Sequence, residues 1–296
     1  MKHSHYHVSV LLQDVLDYLK PRSGGVYIDA TLGGGGHSLE ILKQGGQVLA
    51  IDQDQDAIDH IKNELKIDNA KLTIVHDNFA HIGEIARQNG LGPPSGGVDG
   101  ILFDLGISSH HVDTAERGFS FLKEGPLDMR MDMSGQVTAA DLVNGLTERE
   151  LSELFTRYGE EPFAKRIAKA IVQERKNGPI FKTTQLAEVI RRVIPGHTAV
   201  HPATKVFQAL RIAVNDELHV IDSALVQSIE LLRPGGRLVV ISFHSLEDRI
   251  VKQTFSTYEK KGIGKQVLKK PLVPSEKEQE VNNRSRSAKL RVFEKI

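Results

Sequence analysis

Cysteine is absent from this chain, which removes disulfides, Cys-zinc sites, thiolate catalysis and Cys-held iron-sulfur clusters together. A surplus of either charge is also missing. Lys and Arg number 38 and Asp and Glu number 38, so no overall field steers the protein toward an acidic or basic partner, and nucleic-acid contact has to come from local patches. No stretch approaches the roughly 18 uninterrupted apolar residues of a membrane helix. The start, Met1-Lys2-His3-Ser4-His5, leads into Val10-Leu11-Leu12 broken by Gln13 and Asp14, and does not read as a signal peptide. The expectation is a cytoplasmic chain that neither crosses nor coats a membrane. What is present is 296 residues, 40% of them hydrophobic, enough to bury the core of one large or two modest domains.

The first hundred residues alternate short β-branched runs with helical patterns, the mark of a parallel sheet with crossover helices. Strands are expected at Val26 to Asp29, Val48 to Ile51, Leu72 to Val75 and Gly100 to Phe103, and helices at Ser38 to Gln44, Gln55 to Lys66 and His81 to Gln88. From about Ala139 to Val214 every periodic segment reads as helix. Thr147 with Glu150 makes a capping box, Pro162 opens a second helix, Thr183 or Thr184 caps a third that Pro195 stops, and His201-Pro202 starts a fourth. The α/β pattern then resumes. A helix from Glu217 to Leu232 is followed by a Pro234-Gly235-Gly236 turn, a strand Leu238 to Phe243 and a helix Leu246 to Tyr258. Gln266 to Lys270 and Leu290 to Glu294 are expected to close the sheet as an antiparallel hairpin. The helical block therefore reads as an insertion: residues 115–215 inside an α/β domain made of 1–114 and 216–296.

The strand ending at Asp29 runs through Gly33-Gly34-Gly35-Gly36-His37 into a helix. Glycines at such a turn let a ligand approach the backbone, beside exposed amides at a helix start. Asp52 ends the second strand, where a carboxylate can accept both hydroxyls of a ribose, so the pair implies an adenosine-containing cofactor. The dinucleotide fingerprint is only partly met, for want of a third glycine, which counts against NAD. A plain flexible turn is the other reading. Asp104 ends the fourth strand at the sheet's carboxyl edge, placed either to contact cofactor or substrate or to cap a loop. Phe79 is either a face for adenine or a core residue. The long run from Glu116 to Asp132 carries Arg117, Phe119, Phe121 and Arg130, which either hold phosphate and stack a base or simply pair with neighbouring acids. His3, His5 and His7 alternate without a carboxylate partner, and no metal site is expected. Basic density rises at Lys165, Arg166 and Lys169, at Lys260, Lys261, Lys265, Lys269 and Lys270, and at Arg284, Arg286, Lys289 and Arg291, which suggests an RNA-facing side.

These residues resemble a known family, the bacterial 16S rRNA (cytosine-N4)-methyltransferases. The resemblance covers nearly the whole chain and rests on several motifs. They are His7-x-x-Val10-Leu11-Leu12, Asp29-x-Thr31-x-Gly33-x-Gly35-Gly36-His37-Ser38, Asp104-Leu105-Gly106-Ile107-Ser108-Ser109, the run Glu116 to Asp132, Tyr158-Gly159-Glu160-Glu161, His201-Pro202-Ala203-Thr204, Ser242-Phe243-His244-Ser245-Leu246-Glu247-Asp248-Arg249 and Arg286-Ser287. It implies a class I, Rossmann-like α/β sheet with an inserted all-helical domain for RNA recognition. It also implies S-adenosylmethionine as methyl donor, held at Gly35, Gly36, His37, Asp52, Phe79, Asp104 and His111. The family usually has Pro-Gln where this chain has His110-His111, so His111 offers an imidazole nitrogen in place of an amide. Asp14 stands where Glu is common.

The implied substrate is a cytidine of the ribosomal decoding centre, in the small subunit or a late precursor of it. Other amino-group methyltransferases carry Asp/Asn-Pro-Pro-aromatic after the fourth strand. Here Asp104-Leu105-Gly106-Ile107 has no aromatic, so base stacking would fall to Phe119, Phe121 or Phe243. The methyl is expected to transfer by direct in-line attack of the amino nitrogen, with Asp104 as proton or hydrogen-bond acceptor and His244 as the second candidate. Two other readings remain: an RNA-binding module that keeps S-adenosylmethionine without this activity, and a nicotinamide-dependent dehydrogenase. The oligomeric state is open between a monomer and a weak homodimer.

Overall fold

The computed structural model describes residues 9–64, 70–93, 96–194 and 201–296, and every structural statement below concerns those residues. His3, His5, His7, the expected helix end at Lys66 and the stop at Pro195 lie outside them. The chain falls into two compact units, residues 1–106 with 218–296, and residues 107–217. The expected boundaries stood at 114 and 215. The structure instead gathers residues 107–114 and 216–217 with the second unit, where the His111 and Phe119 rings lie 4.8 Å apart.

In the first half of the α/β unit the elements are α1 (Leu12–Leu19), β1 (Val26–Asp29), α2 (Gly36–Lys43), β2 (Gln47–Asp52), α3 (Gln55–Glu64), β3 (Leu72–His76), α4 (Ile82–Gln88) and β4 (Val98–Asp104). The second unit follows with α5 (Ser109–Asp113), α6 (Ala139–Gly145), α7 (Glu148–Gly159), α8 (Ala164–Glu174), α9 (Thr183–Val193) and α10 (Thr204–Asn215). The sheet is then completed by α11 (Glu217–Leu231), β5 (Leu232–Ser242), α12 (Ser245–Lys260), β6 (Gly264–Gln266), α13 (Glu276–Val281) and β7 (Lys289–Lys295). Its order is β3-β2-β1-β4-β5-β7-β6. The first five strands are parallel, and β7 runs antiparallel to both β5 and β6. The chain lays β2 and β3 on one side of β1 and then returns with β4 to the other, which makes the carboxyl ends of β1 and β4 the switch point where such sheets open a ligand crevice.

Alternation along the strands buries both faces. Ile28, Ile51, Ile101, Phe103 and Val240 pack with Ile82, Ile85, Leu225, Val251 and Phe255, whereas Tyr27, Ala50, Leu102, Val239 and Ile241 pack with Val15, Leu19, Ile41 and Ile58. The expected Pro234-Gly235-Gly236 turn is taken up inside β5. Val98 pairs with Leu232 and Gly100 with Arg237, so the extra residues bulge out while pairing continues on either side.

The helical unit buries its own core around Phe155, Ile167, Ile171, Leu186, Ile190, Val206 and Leu210. Thr147 and Glu150 form the expected capping box on α7. Thr183 does not cap α9. Lys182 stands at the N-cap, its amide donates to Gln185 Oε1, and the Thr183 hydroxyl donates to the Lys123 carbonyl instead.

Candidate active site

Each sheet strand that points at the crevice ends on a polar residue, and backbone amides bind those ends together. Asp29 is 1% exposed. Its Oδ2 accepts the Ser38 hydroxyl at 2.7 Å and its Oδ1 the Thr31 amide at 3.2 Å. It is thereby the floor of the glycine turn. Asp52 accepts the Gly33 amide at 2.7 Å and the Asp54 amide at 2.9 Å, tying the turn to the end of β2. Gly35 caps α2 with φ 73°, a left-handed angle that glycine takes without strain. A side chain on Gly36 would strike Ser9 Oγ, whereas at Gly33 nothing lies nearer to an added Cβ than the Thr31 carbonyl at 3.9 Å. The turn is thus backed by protein at one glycine and open at the other. With Asp52 beside it, the turn could hold an adenosine ligand, Gly35, Gly36 and the start of α2 facing a polar tail and Asp52 a ribose.

Asp104 stands opposite. Its amide donates to Thr31 Oγ1 at 2.7 Å, so the loop after β1 fixes the end of β4. Its Oδ2 lies 3.9 Å from His37 Nδ1, and its Oδ1 is buried with no hydrogen-bond partner among the described residues. His37 is itself buried, and its Nε2 donates to the Val10 carbonyl at 3.1 Å. Burial, with Asp29 and Glu247 as like charges, holds the Asp104 carboxyl well above the usual carboxylate range. Burial likewise pushes Asp29 up to about 7, against the opposing bonds from Ser38 and Thr31. Phe79 is half-buried and meets Phe103 edge-on with ring centroids 5.4 Å apart.

His244 is the N-cap of α12, directly beyond the strand in which Ile241 pairs with Asp104. Gly35, Gly36, His37, Asp52, Phe79, Asp104 and His244 therefore all belong to the α/β unit, around the carboxyl ends of its strands. His111 belongs to the helical unit. There its Nδ1 accepts the Ser108 amide at 3.3 Å and the Ser108 hydroxyl accepts the His111 amide at 3.2 Å, a capping box that starts α5.

Arg130 follows the reading in which it pairs with a neighbouring acid, whereas Arg117 meets backbone carbonyls of the loop instead. Arg117 is 5% exposed and donates to the carbonyls of Arg130 at 3.2 Å and Met131 at 2.8 Å. Arg130 grips Asp128 through two nitrogens, at 2.8 and 2.7 Å. Asn215 pins the same loop through the Met131 amide and the Met129 carbonyl, both at 2.8 Å. Phe119 is buried, Phe121 stacks on His201 at 4.4 Å, and Phe243 is half-buried. Among the basic clusters, Arg291 is buried against Asp248 at 2.7 Å, Lys265 meets Glu294 at 2.8 Å and Lys269 meets Glu259 at 3.4 Å. Lys165, Arg166 and Lys169 on α8 are exposed.

Residue reading alone did not assign Asp29, Thr31, Ser38 and Glu247. A buried acid closing a strand before a glycine turn, and a Glu three places beyond a helix N-cap, were the available signals.

A parallel sheet of this order, with a glycine turn after β1, an acid ending β2 and another ending β4, defines a Rossmann-like, class I methyltransferase sheet. The chain belongs to the MraW methylase family, whose profile matches residues 4–296. S-adenosylmethionine is the methyl donor of this family, and the dehydrogenase reading falls away. The chain is 49% identical to "Ribosomal RNA small subunit methyltransferase H" of Paenibacillus sp. (strain JDR-2), over 98% of this chain and 99% of that one. It is 48% identical to the protein of the same name from Carboxydothermus hydrogenoformans, over 98% of each. An rRNA methylase structure from Streptococcus thermophilus gives a TM-score of 0.46 at 10% identity, over 96% of this chain and 93% of its own. No helix among the described residues is long and apolar enough to cross a membrane.

Proposed function

We propose that the protein is an S-adenosylmethionine-dependent rRNA methyltransferase that methylates the exocyclic N4 of a cytidine in the decoding region of 16S rRNA. Its substrate is the small ribosomal subunit or a late precursor. The observation that carries the reading is Asp104: an acceptor oxygen, buried and without a partner, at the switch point of a methylase sheet. The near full-length likeness to proteins named for small-subunit rRNA methylation supports the substrate class.

S-adenosylmethionine, held at this site, would supply an electrophilic methyl group whose S–CH3 bond breaks as the C–N bond forms, the neutral thioether leaving. The chain supplies position and charge. The glycine turn and Asp52 would hold the nucleoside, and the Thr31 bond to the Asp104 amide fixes the strand end that carries the carboxyl. Oδ1 of Asp104 then accepts an N–H of the cytosine amino group, and the carboxylate takes the proton that leaves as the new C–N bond forms. A base whose pKa is lifted by burial binds that proton more tightly, and the positive charge of a bound sulfonium would offset the cost of ionising it first. The helical unit, with Lys165, Arg166 and Lys169 on α8, offers phosphate contacts for structured RNA.

Small subunits isolated from a strain lacking this protein, incubated with enzyme and radiolabelled S-adenosylmethionine, should take up label. A short free oligonucleotide of the same sequence should take up little, since a neutral protein needs a shaped RNA surface to supplement its phosphate contacts. Equal labelling of the two would refute the subunit as substrate, and no labelling of either would refute the activity.

A further inference from the structure

His244 is an unusual residue for the place it occupies. Ser, Thr, Asp and Asn are the side chains that begin helices well, and α6 and α7 begin on Thr138 and Thr147, each paired with an exposed acid. At α12 an imidazole takes the hydroxyl's place, and the partner acid, Glu247, is 0% exposed. Burying a carboxylate to serve a helix cap that an exposed acid serves elsewhere is costly, which points to a second task.

The hydrogen bonds define that task. His244 Nδ1 accepts the Glu247 amide at 3.3 Å, so the neutral ring carries its proton on Nε2. Glu247 Oε2 accepts the amides of Phe243 at 2.7 Å and His244 at 3.2 Å, while Oε1 lies 3.1 Å from His244 Nε2. One carboxylate thus holds the backbone entering the helix and also faces the ring's N–H. That contact is too bent to count as a hydrogen bond, and Nε2 is buried with no hydrogen-bond partner among the described residues. With Nδ1 occupied and Nε2 protonated, His244 in this state has no lone pair to offer a proton. It is a donor. At the same sheet edge Asp104 Oδ1 is a buried acceptor with no partner. A buried acceptor at the end of β4 and a buried donor just beyond β5, each without a hydrogen bond among the described residues, suit a ligand that presents both a donor and an acceptor.

Cytosine presents that pair, as N4–H and N3. Uracil presents the reverse, O4 and N3–H, which would set acceptor against acceptor and donor against donor. Resting on the function proposed above, we propose that His244 donates from Nε2 to N3 of the target cytosine, that Asp104 receives N4–H, and that Glu247 is the positioning residue that keeps the imidazole in its Nε2–H form. Donation to N3 does not activate the amino group. It turns the base so that N4 faces Asp104, and it rejects uridine through unpaired polar groups rather than through shape.

The test couples one protein atom to one substrate atom. Small subunits are reconstituted with 16S rRNA carrying cytidine or 3-deazacytidine, whose ring position 3 is C–H, at the methylated position. Wild-type enzyme and His244→Asn are compared on both, because Asn preserves the helix cap while its shorter amide places no N–H at the Nε2 position. Wild type should lose about tenfold or more in kcat/KM on the deaza substrate, the scale of an unpaired buried donor, and His244→Asn should lose less than about twofold. Equal losses for the two enzymes would overturn the assignment. A second readout needs no activity: in ¹⁵N-histidine spectra of the intact protein, the signal that disappears in His244→Asn should be an Nε2–H tautomer in wild type. In Glu247→Gln, which keeps an acceptor for the two amides but puts an amide donor against the ring, that tautomer should shift or broaden. An Nδ1–H tautomer in wild type would refute the inference. Failure of wild type to methylate the native cytidine would instead refute the function on which it rests.

Discussion

Asp29 sits one strand away from the reacting edge, and its burial makes folding stability depend on pH. Its carboxyl is raised from 3.8 to about 7 because burial penalises the anion more than Ser38 and Thr31 stabilise it. Between those values the folded chain holds a proton that the unfolded chain has released, so stability from this group is present at low pH and is lost as pH rises from about 4 to about 7. Asp29→Asn keeps a neutral acceptor for the Thr31 amide and removes the penalty. Denaturant midpoints should show the variant about 2 to 4 kcal/mol more stable relative to wild type at pH 8 than at pH 4, at roughly 1.4 kcal/mol per pKa unit. Parallel pH profiles for the two proteins would contradict the burial argument. At Asp104 the question is chemistry. Asp104→Asn preserves the shape and one acceptor oxygen and removes the charge, so methyl transfer should fall by about a hundredfold or more while S-adenosylmethionine affinity, read by calorimetry, stays within a few fold. A parallel collapse of affinity would make Asp104 a cofactor residue only.

At the scale of elements, what was legible in the sequence follows from how local each signal is. The strands β1, β2 and β4 announced themselves because both faces of each are buried, so apolar runs ended at Asp29, Asp52 and Asp104 could be read without knowing what they touch. The capping box of α7 was equally local. The start of α9 was not. Thr183 carries an N-cap's chemistry, but a carbonyl sixty residues away at Lys123 claims its hydroxyl, and only the fold reveals that. The same holds for Arg117, whose phosphate-binding look is spent on two carbonyls of its own loop. Arg117→Ala should therefore destabilise the protein by about 2 to 3 kcal/mol, because buried carbonyls lose their donor, and it should leave the salt dependence of RNA binding unchanged. Unaltered stability with a reduced salt slope would restore the phosphate reading. His244 and Glu247 show the converse case. Their spacing resembles any capping box, and the departure that matters, a wholly buried acid behind an imidazole, is visible only in three dimensions.

For the whole molecule, a formal charge of +0 means that affinity for RNA has to be local. Most of the helical unit's arginines are engaged with acids or carbonyls, among them Arg149, Arg191, Arg192 and Arg211, whereas Lys165, Arg166 and Lys169 stand on the exposed side of α8. Replacing those three with Gln should weaken binding to small subunits and flatten its dependence on salt, with the melting temperature unmoved, since each lost phosphate contact removes nearly one unit of slope. An unchanged slope would place RNA on another face. The central claim, methylation of a decoding-region cytidine on N4, is tested most directly by mass spectrometry of 16S rRNA. Small subunits from a strain lacking this protein are incubated with enzyme and deuterated-methyl S-adenosylmethionine, and the rRNA is digested to fragments and nucleosides. The claim predicts one labelled methyl on a single decoding-region fragment, eluting as N4-methylcytidine; label on a ribose, on another base or on carbon 5 of cytosine would contradict it.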